Sequence, residues 1–219
     1  MGIEETDNRF KTAADIAYQV ICDKIIRGEL SPGEKLTRRG MAQLTGVSII
    51  PVIEALHRLE NEGLVDSEPH FGSRVIRLTD DTIRDKFAMR LAVECQVARI
   101  LASHHSDEQI RHLTYLSDNL DSTPRDQEHI GSFRERHYAF HLTMAEYTRC
   151  SSFVQALHRL NLFDLLHRSI VKYSSDHTEV PKNHHQKIVD AIASGEPDTA
   201  EKIVRAHIYF SGLLKEQDL

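Results

Sequence analysis

Cysteine is scarce. Cys22, Cys95 and Cys150 are the only three in 219 residues, and their scattered spacing forms no metal-binding motif. It suits buried thiols in a reducing compartment. No apolar run approaches the ~20 residues of a membrane span. The first ten residues, MGIEETDNRF, are polar and acidic, which is not the pattern of a secretory signal. A cytoplasmic protein that does not engage a membrane is expected. No internal repeat and no low-complexity segment occurs, and no nucleophile motif marks an active site. An overall positive charge is also missing: the formal net charge is −6, which counts against a broadly basic, polyanion-binding surface. What remains is ordinary for a globular chain, 40% hydrophobic and 27% charged, with room for one large or two small domains.

Residues 28–65 carry the clearest pattern, GELSPGEKLTRRGMAQLTGVSIIPVIEALHRLENEGLV. An SPGE turn leads into a short amphipathic helix, Arg38 to Leu44, with Met41 and Leu44 on its apolar face. Gly46 breaks it. Ser48 is expected to cap a second helix, with Pro51 in the first turn, where a missing N–H costs nothing. Val52, Leu56 and Leu59 form its apolar stripe. Two short helices around a tight Gly turn make a helix-turn-helix, whose second helix fits a DNA major groove. A strand starting at Leu64-Val65, a turn at residues 69–72 and a strand over residues 73–78 predict a two-stranded wing. Charge agrees locally: between Lys35 and Arg58, Lys35, Arg38, Arg39 and Arg58 face only Glu54, and Arg74 and Arg77 lie in the wing.

The GELSPGEKL, LTGVS..PV.EAL.RLE.EGLV and P.FGSRV segments together resemble the GntR family of bacterial transcriptional regulators, over roughly residues 12–78. Arg39 matches a position that often contacts DNA in the family; Arg38, Ser48, Arg58 and Arg74 are further candidate DNA contacts. The resemblance also exposes a departure. The family usually has arginine after the serine of the recognition helix and again after the Pro-Val pair, where this chain has Ile49 and Ile53. Arginine is the commonest reader of guanine edges; isoleucine touches a thymine methyl but cannot hydrogen-bond.

The rest of the chain is helical by pattern. A first helix is expected at about residues 12–27. Beyond the wing, Thr79-Asp80-Asp81 caps a long helix reaching Ser103. Five more follow at about 107–120, 127–147, 152–173, 182–194 and 197–214. The expected fold is mainly α: a winged helix-turn-helix (11–78) after a disordered tail (1–10), then an antiparallel bundle of about six helices (79–219).

The chain holds 14 histidines. His137 and His141 lie one helical turn apart on one face, a spacing that suits two ligands to one metal. By spacing alone such a pair is more often two partly buried core imidazoles than two ligands. His185 and His207 fall on two other helices of the bundle, where ligands converge from facing helices. Imidazole favours zinc, nickel, copper or iron over magnesium or calcium.

MRLAVE (89–94), HYAFHLTMAEYT (137–148) and HHQKIVDAIASGEPDTAEKIVRAHI (184–208) resemble the FCD effector domain of one GntR branch. The resemblance implies a metal site at His137, His141, His185 and His207, with His137 where the branch usually has aspartate, and zinc or nickel the foremost metals. It implies that Arg90 faces an effector pocket, with Arg168 a second candidate, which suits a small carboxylate held by metal and guanidinium. On these terms the chain is a ligand-responsive regulator that binds operator DNA as a homodimer. The alternatives are a His-rich metalloenzyme acting on a small carboxylate, against which no general base stands beside the histidines, and a plain metal sensor or structural metal site.

Overall fold

The computed structural model describes residues 11–68, 72–124, 128–170 and 183–210. Thr12 starts helix α1 (Ala13–Ile26) with a capping box: the Asp15 N–H donates to Thr12 Oγ1, and the Asp15 carboxylate accepts from the Thr12 N–H. A two-residue strand, β1 (Lys35–Leu36), precedes α2 (Arg38–Thr45), which Thr37 caps and Gly46 ends in the left-handed conformation at φ 73°. Recognition helix α3 (Ile49–Asn61) follows. Gly63, at φ 77°, turns the chain into β2 (Val65–Glu68) and β3 (Gly72–Val75).

The winged helix-turn-helix is therefore present, with three differences from the sequence expectation. The wing is a three-stranded antiparallel sheet of order β1-β3-β2, with Lys35 opposite Arg74 and Val65 opposite Val75. A two-residue strand has no alternation to read, so β1 carries no sequence signal. Ser48 occupies the N-cap position of α3 but makes no side-chain capping bond. Leu44 is exposed, while Met41 alone of the α2 pair is buried.

The first core joins Ala17, Ile21 and Ile25 of α1 to Val52, Leu56 and Leu59 of α3 and to Val65 and Val75 of the sheet. Each is essentially fully buried, and the spacing of the α1 and α3 residues is the helical stripe visible in the sequence. Leu78 closes this compact unit and Thr79 opens a second one.

The second unit is built from α4 (Asp80–Ser103), α5 (Asp107–Asp121), α6 (Ile130–Tyr147), the start of α7 (Ser151–Ile170), whose residues from Leu162 group with the first unit, α8 (Gln186–Ala193) and α9 (Pro197–Phe210). Thr79 caps α4, and a Ser106/Gln109 capping box starts α5. Helix α4 packs along α9, and α5 lies against both α6 and α8. Leu91, Ala98, Leu101, Phe140, Met144, Ile188, Ile192, Val204 and Ile208 form the core. Helix α6 starts three residues later than expected and α8 four, because residues 183–185 form a turn that leads into α8. The expected tail 1–10 and the expected helical ends at 173 and 214 lie outside the described residues. Among the described residues, no helix is long and apolar enough to cross a membrane.

Candidate metal centre and DNA-facing helix

Helix α6 presents His137 and His141 on one face, with ring centroids 4.6 Å apart. His185 sits at the N-cap of α8, and His207 in the last described turn of α9. The second unit brings all four together: one ring nitrogen from each lies within 4.8 Å of the other three. Nitrogens bound to one ion at about 2.1 Å lie at most about 4.2 Å apart, so the set is close to a coordination shell. His141, His185 and His207 are buried and His137 is half-buried.

Neither ring nitrogen of His207 has a hydrogen-bond partner, and His141 Nε2 has none either. Buried polar nitrogens rarely stay unsatisfied. Burial first, then the neighbouring imidazoles of His141, His185, His137 and His184, push the His207 pKa well below 6.5 and keep its ring neutral. A neutral imidazole is the form that binds a metal. The donor set thus fits a divalent transition ion: it is nitrogen-only, three of its four rings are buried, and His207 is held neutral.

Two carboxylates stand behind the rings. Asp121, at the end of α5, lies 2.6 Å from His185 Nδ1 and accepts the backbone N–H groups of His185 (3.0 Å) and Gln186 (3.2 Å). Burial raises its pKa, but the His185 hydrogen bond and charge outweigh it, and the net shift is downward. Glu94 Oε2 lies 2.8 Å from His141 Nδ1, without the alignment of a hydrogen bond. Carboxylates in these places fix ring orientation and raise ligand basicity. Sequence reading missed Asp121, which is 64 residues from its partner and carries no spacing signal. It also missed His184, half of a visible His-His doublet, whose ring stacks on His207 at 4.4 Å. We expect Asp121→Asn to weaken metal affinity about 10- to 100-fold while the fold is retained. A competition titration against a chromophoric chelator measures this, and unchanged affinity would remove Asp121 from the site.

The Arg90/Glu94 spacing, which in isolation describes a solvated helix pair, turns out to be buried: Arg90 Nε donates to Glu94 Oε1 at 2.6 Å, with the side chains 13% and 5% exposed. Arg90 is thus tied through Glu94 to His141 and the imidazole cluster. Arg168 lies on α7, and its side chain is outside the described residues.

In the first unit, Arg38, Arg39, Ser48 and Ile49 are exposed, and Ile53 is half-buried. Arg58 is committed elsewhere. Its guanidinium lies 3.8 Å over the Tyr18 ring and 3.4 Å from both Asp15 and Glu62. It ties α3 to α1. Arg74 Nη1 donates to the Gly33 carbonyl at 3.2 Å.

A winged helix-turn-helix followed by a helical unit with an internal imidazole cluster defines a class: a DNA-binding head joined to a sensor bundle. Residues 13–75 match the bacterial regulatory proteins of the gntR family. Residues 85–210, more than half of the chain, match the FCD domain. The chain therefore belongs to the GntR family of transcriptional regulators, in the branch that carries an FCD domain. It is 27% identical over 196 residues to the HTH-type transcriptional regulator YdhC of Bacillus subtilis (strain 168), covering 87% of this chain and 85% of that one. It is 25% identical over 202 residues to the HTH-type transcriptional repressor GlaR of Escherichia coli (strain K12), covering 87% and 90%. Among solved structures, E. coli McbR/YncC shares the fold with a TM-score of 0.65 at 15% identity, over 91% of this chain and 95% of that one. Family membership makes the chain a regulator and sets the metalloenzyme alternative aside.

Proposed function

We propose that this chain is a cytoplasmic repressor that binds operator DNA as a homodimer and responds to a small carboxylate in its helical unit. The observation that carries the sensing half is the convergence of His137, His141, His185 and His207 inside the part that matches the FCD domain. A divalent transition ion, zinc or nickel foremost, held by those four rings would offer open positions to a carboxylate oxygen. Arg90, fixed beside the cluster by Glu94, supplies the guanidinium partner, with Arg168 as a second contact. GlaR is a repressor, and repression is the sense assigned here. Two-fold symmetry follows from the palindromic sites that helix-turn-helix dimers read. Coupling requires that effector and DNA favour different arrangements of the dimer.

The test is thermal unfolding of the metal-loaded chain against a panel of dicarboxylates and sugar acids. A ligand at 100 times its Kd adds about 2.7 kcal/mol to stability. At least one acid should stabilise the protein and release it from DNA. Arg90→Ala strips Glu94 of its partner, so Arg90→Lys is the companion that keeps the charge but loses the fork. An equal response of wild type and both variants would remove Arg90 from the pocket. Sedimentation at micromolar concentration checks the dimer, and a strict monomer would sink the operator model.

For DNA, exposed Arg38 and Arg39 at the start of α2 carry the phosphate attraction, with Ser48, Ile49 and Ile53 on the recognition helix and Arg74 in the wing; Arg58 acts through its grip on α1. Arg39→Ala should lower the slope of log affinity against log salt by about one. Ile49→Arg should raise affinity for non-specific duplex, because it adds a cation where the groove is most negative. Titrations across a salt series check both. An unchanged slope in Arg39→Ala would move the phosphate contact elsewhere.

A further inference from the structure

Ile49 and Ile50 are the first two residues of α3, the end that enters the major groove in a helix-turn-helix. They are 42% and 70% exposed, and Ile50 is the most exposed large hydrophobic side chain among the described residues. A β-branched side chain in that state has no role in the core, which α3 builds from Val52, Ala55, Leu56 and Leu59. The surface around it is cationic. Between Lys35 and Ile53 the chain has Lys35, Arg38 and Arg39 and no carboxylate. Arg38 and Arg39 are exposed at the start of α2, and the uncapped N-terminus of α3 adds its own positive end. An apolar tip in a cationic frame fits a surface that is polyanionic outside and locally apolar inside.

The major groove has one such feature. Adenine, guanine and cytosine present only donors and acceptors at their edges; thymine alone adds a methyl group. An isoleucine pressed on a guanine or cytosine edge desolvates polar atoms and returns no hydrogen bond. Against a thymine methyl it buries apolar surface on both sides. We propose that Ile49 and Ile50 are specificity-determining residues that read thymine C5-methyl groups, so that the operator half-site carries thymines opposite the start of α3 and no required guanine. This rests on the operator-binding reading above.

The experiment uses the full chain and a pool of random DNA duplexes. Bound duplexes are selected and sequenced, and the best is resynthesised with deoxyuridine for thymidine, one position at a time. Deoxyuridine keeps the base pair and removes only the methyl. Expected is a half-site with thymines at the positions next to the α3 tip, and a loss of about four-fold in affinity for each methyl removed there, the worth of one buried carbon. An Ile49→Ala/Ile50→Ala variant, altered only at exposed positions, should keep its thermal unfolding and bind thymine and uracil duplexes alike. Equal binding of both duplexes by wild type, or a guanine required at those positions, overturns the proposal. Enrichment of no duplex at all overturns the operator reading with it, and is told apart because there is then no sequence to substitute.

Discussion

On the proposed metal site, His141→Ala is expected to abolish the binding of one transition ion per chain that wild type should show. His141 is 5% exposed, and its ring centroid lies 4.6 Å from that of His137 and 5.1 Å from that of His207. Removing it leaves three imidazoles around a void, with Glu94 deprived of its ring neighbour. In wild type, an ion bound at the proposed site and supplied at 1,000 times its Kd should add about 4 kcal/mol to folding stability, and that increment should vanish in the variant. Metal quantification and unfolding with and without added zinc or nickel measure both. An His141→Ala protein that retained one ion per chain at wild-type affinity would show that the imidazole cluster is a core feature and nothing more.

Acid should oppose the same site. Above pH ~6.5 the His207 ring is neutral in the folded and the unfolded chain and contributes no slope. Below it, the unfolded chain takes up a proton that the buried ring, with its pKa well below 6.5, refuses. Stability of the metal-free protein therefore falls as pH drops from 7 toward 5.

The sequence carried most of the architecture because the helices and the wing hairpin announce themselves locally. Thr12, Thr37, Thr79 and Ser106 are side-chain caps placed where helices begin, and Gly46 and Gly63 sit where the backbone turns left-handed. The histidine set was half legible: one turn of α6 links His137 to His141, but only the fold carries His185 and His207 to them. What stayed hidden are the contacts between elements. Asp121 reaches His185 across the α5–α8 packing, and β1 exists only because β3 lies beside it. The Arg90/Glu94 pair shows the other limit: spacing gives the partner but not the burial, and burial changes what the pair is worth.

That burial sets up the last expected result. Desolvation alone would raise the Glu94 pKa, yet the Arg90 charge, then His141, take it down from 4.5 to about 2. The carboxylate is therefore ionised in the folded state at every pH of interest. Replacing it by glutamine keeps shape and volume, takes the facing carboxylate away from the half-buried Arg90, and should cost about 3 kcal/mol. For a domain stabilised by ~5–15 kcal/mol, this is a large loss. The pH profile separates the charge from the packing. In wild type, the unfolded carboxyl takes a proton as pH falls below about 4.5 while the folded one refuses it until about 2. Glu94 thus contributes stability above 4.5 that is lost between those limits. Urea unfolding at pH 7 and at pH 3 should show this loss in wild type, while Glu94→Gln should lack the part of the slope that Glu94 supplies. A double variant, Arg90→Met with Glu94→Leu, removes both charges and should recover most of the stability at pH 7, because neither charge then has to be desolvated. Equal urea midpoints for wild type and Glu94→Gln at pH 7 would mean that the Arg90/Glu94 pair is solvated in the folded protein and does not anchor His141.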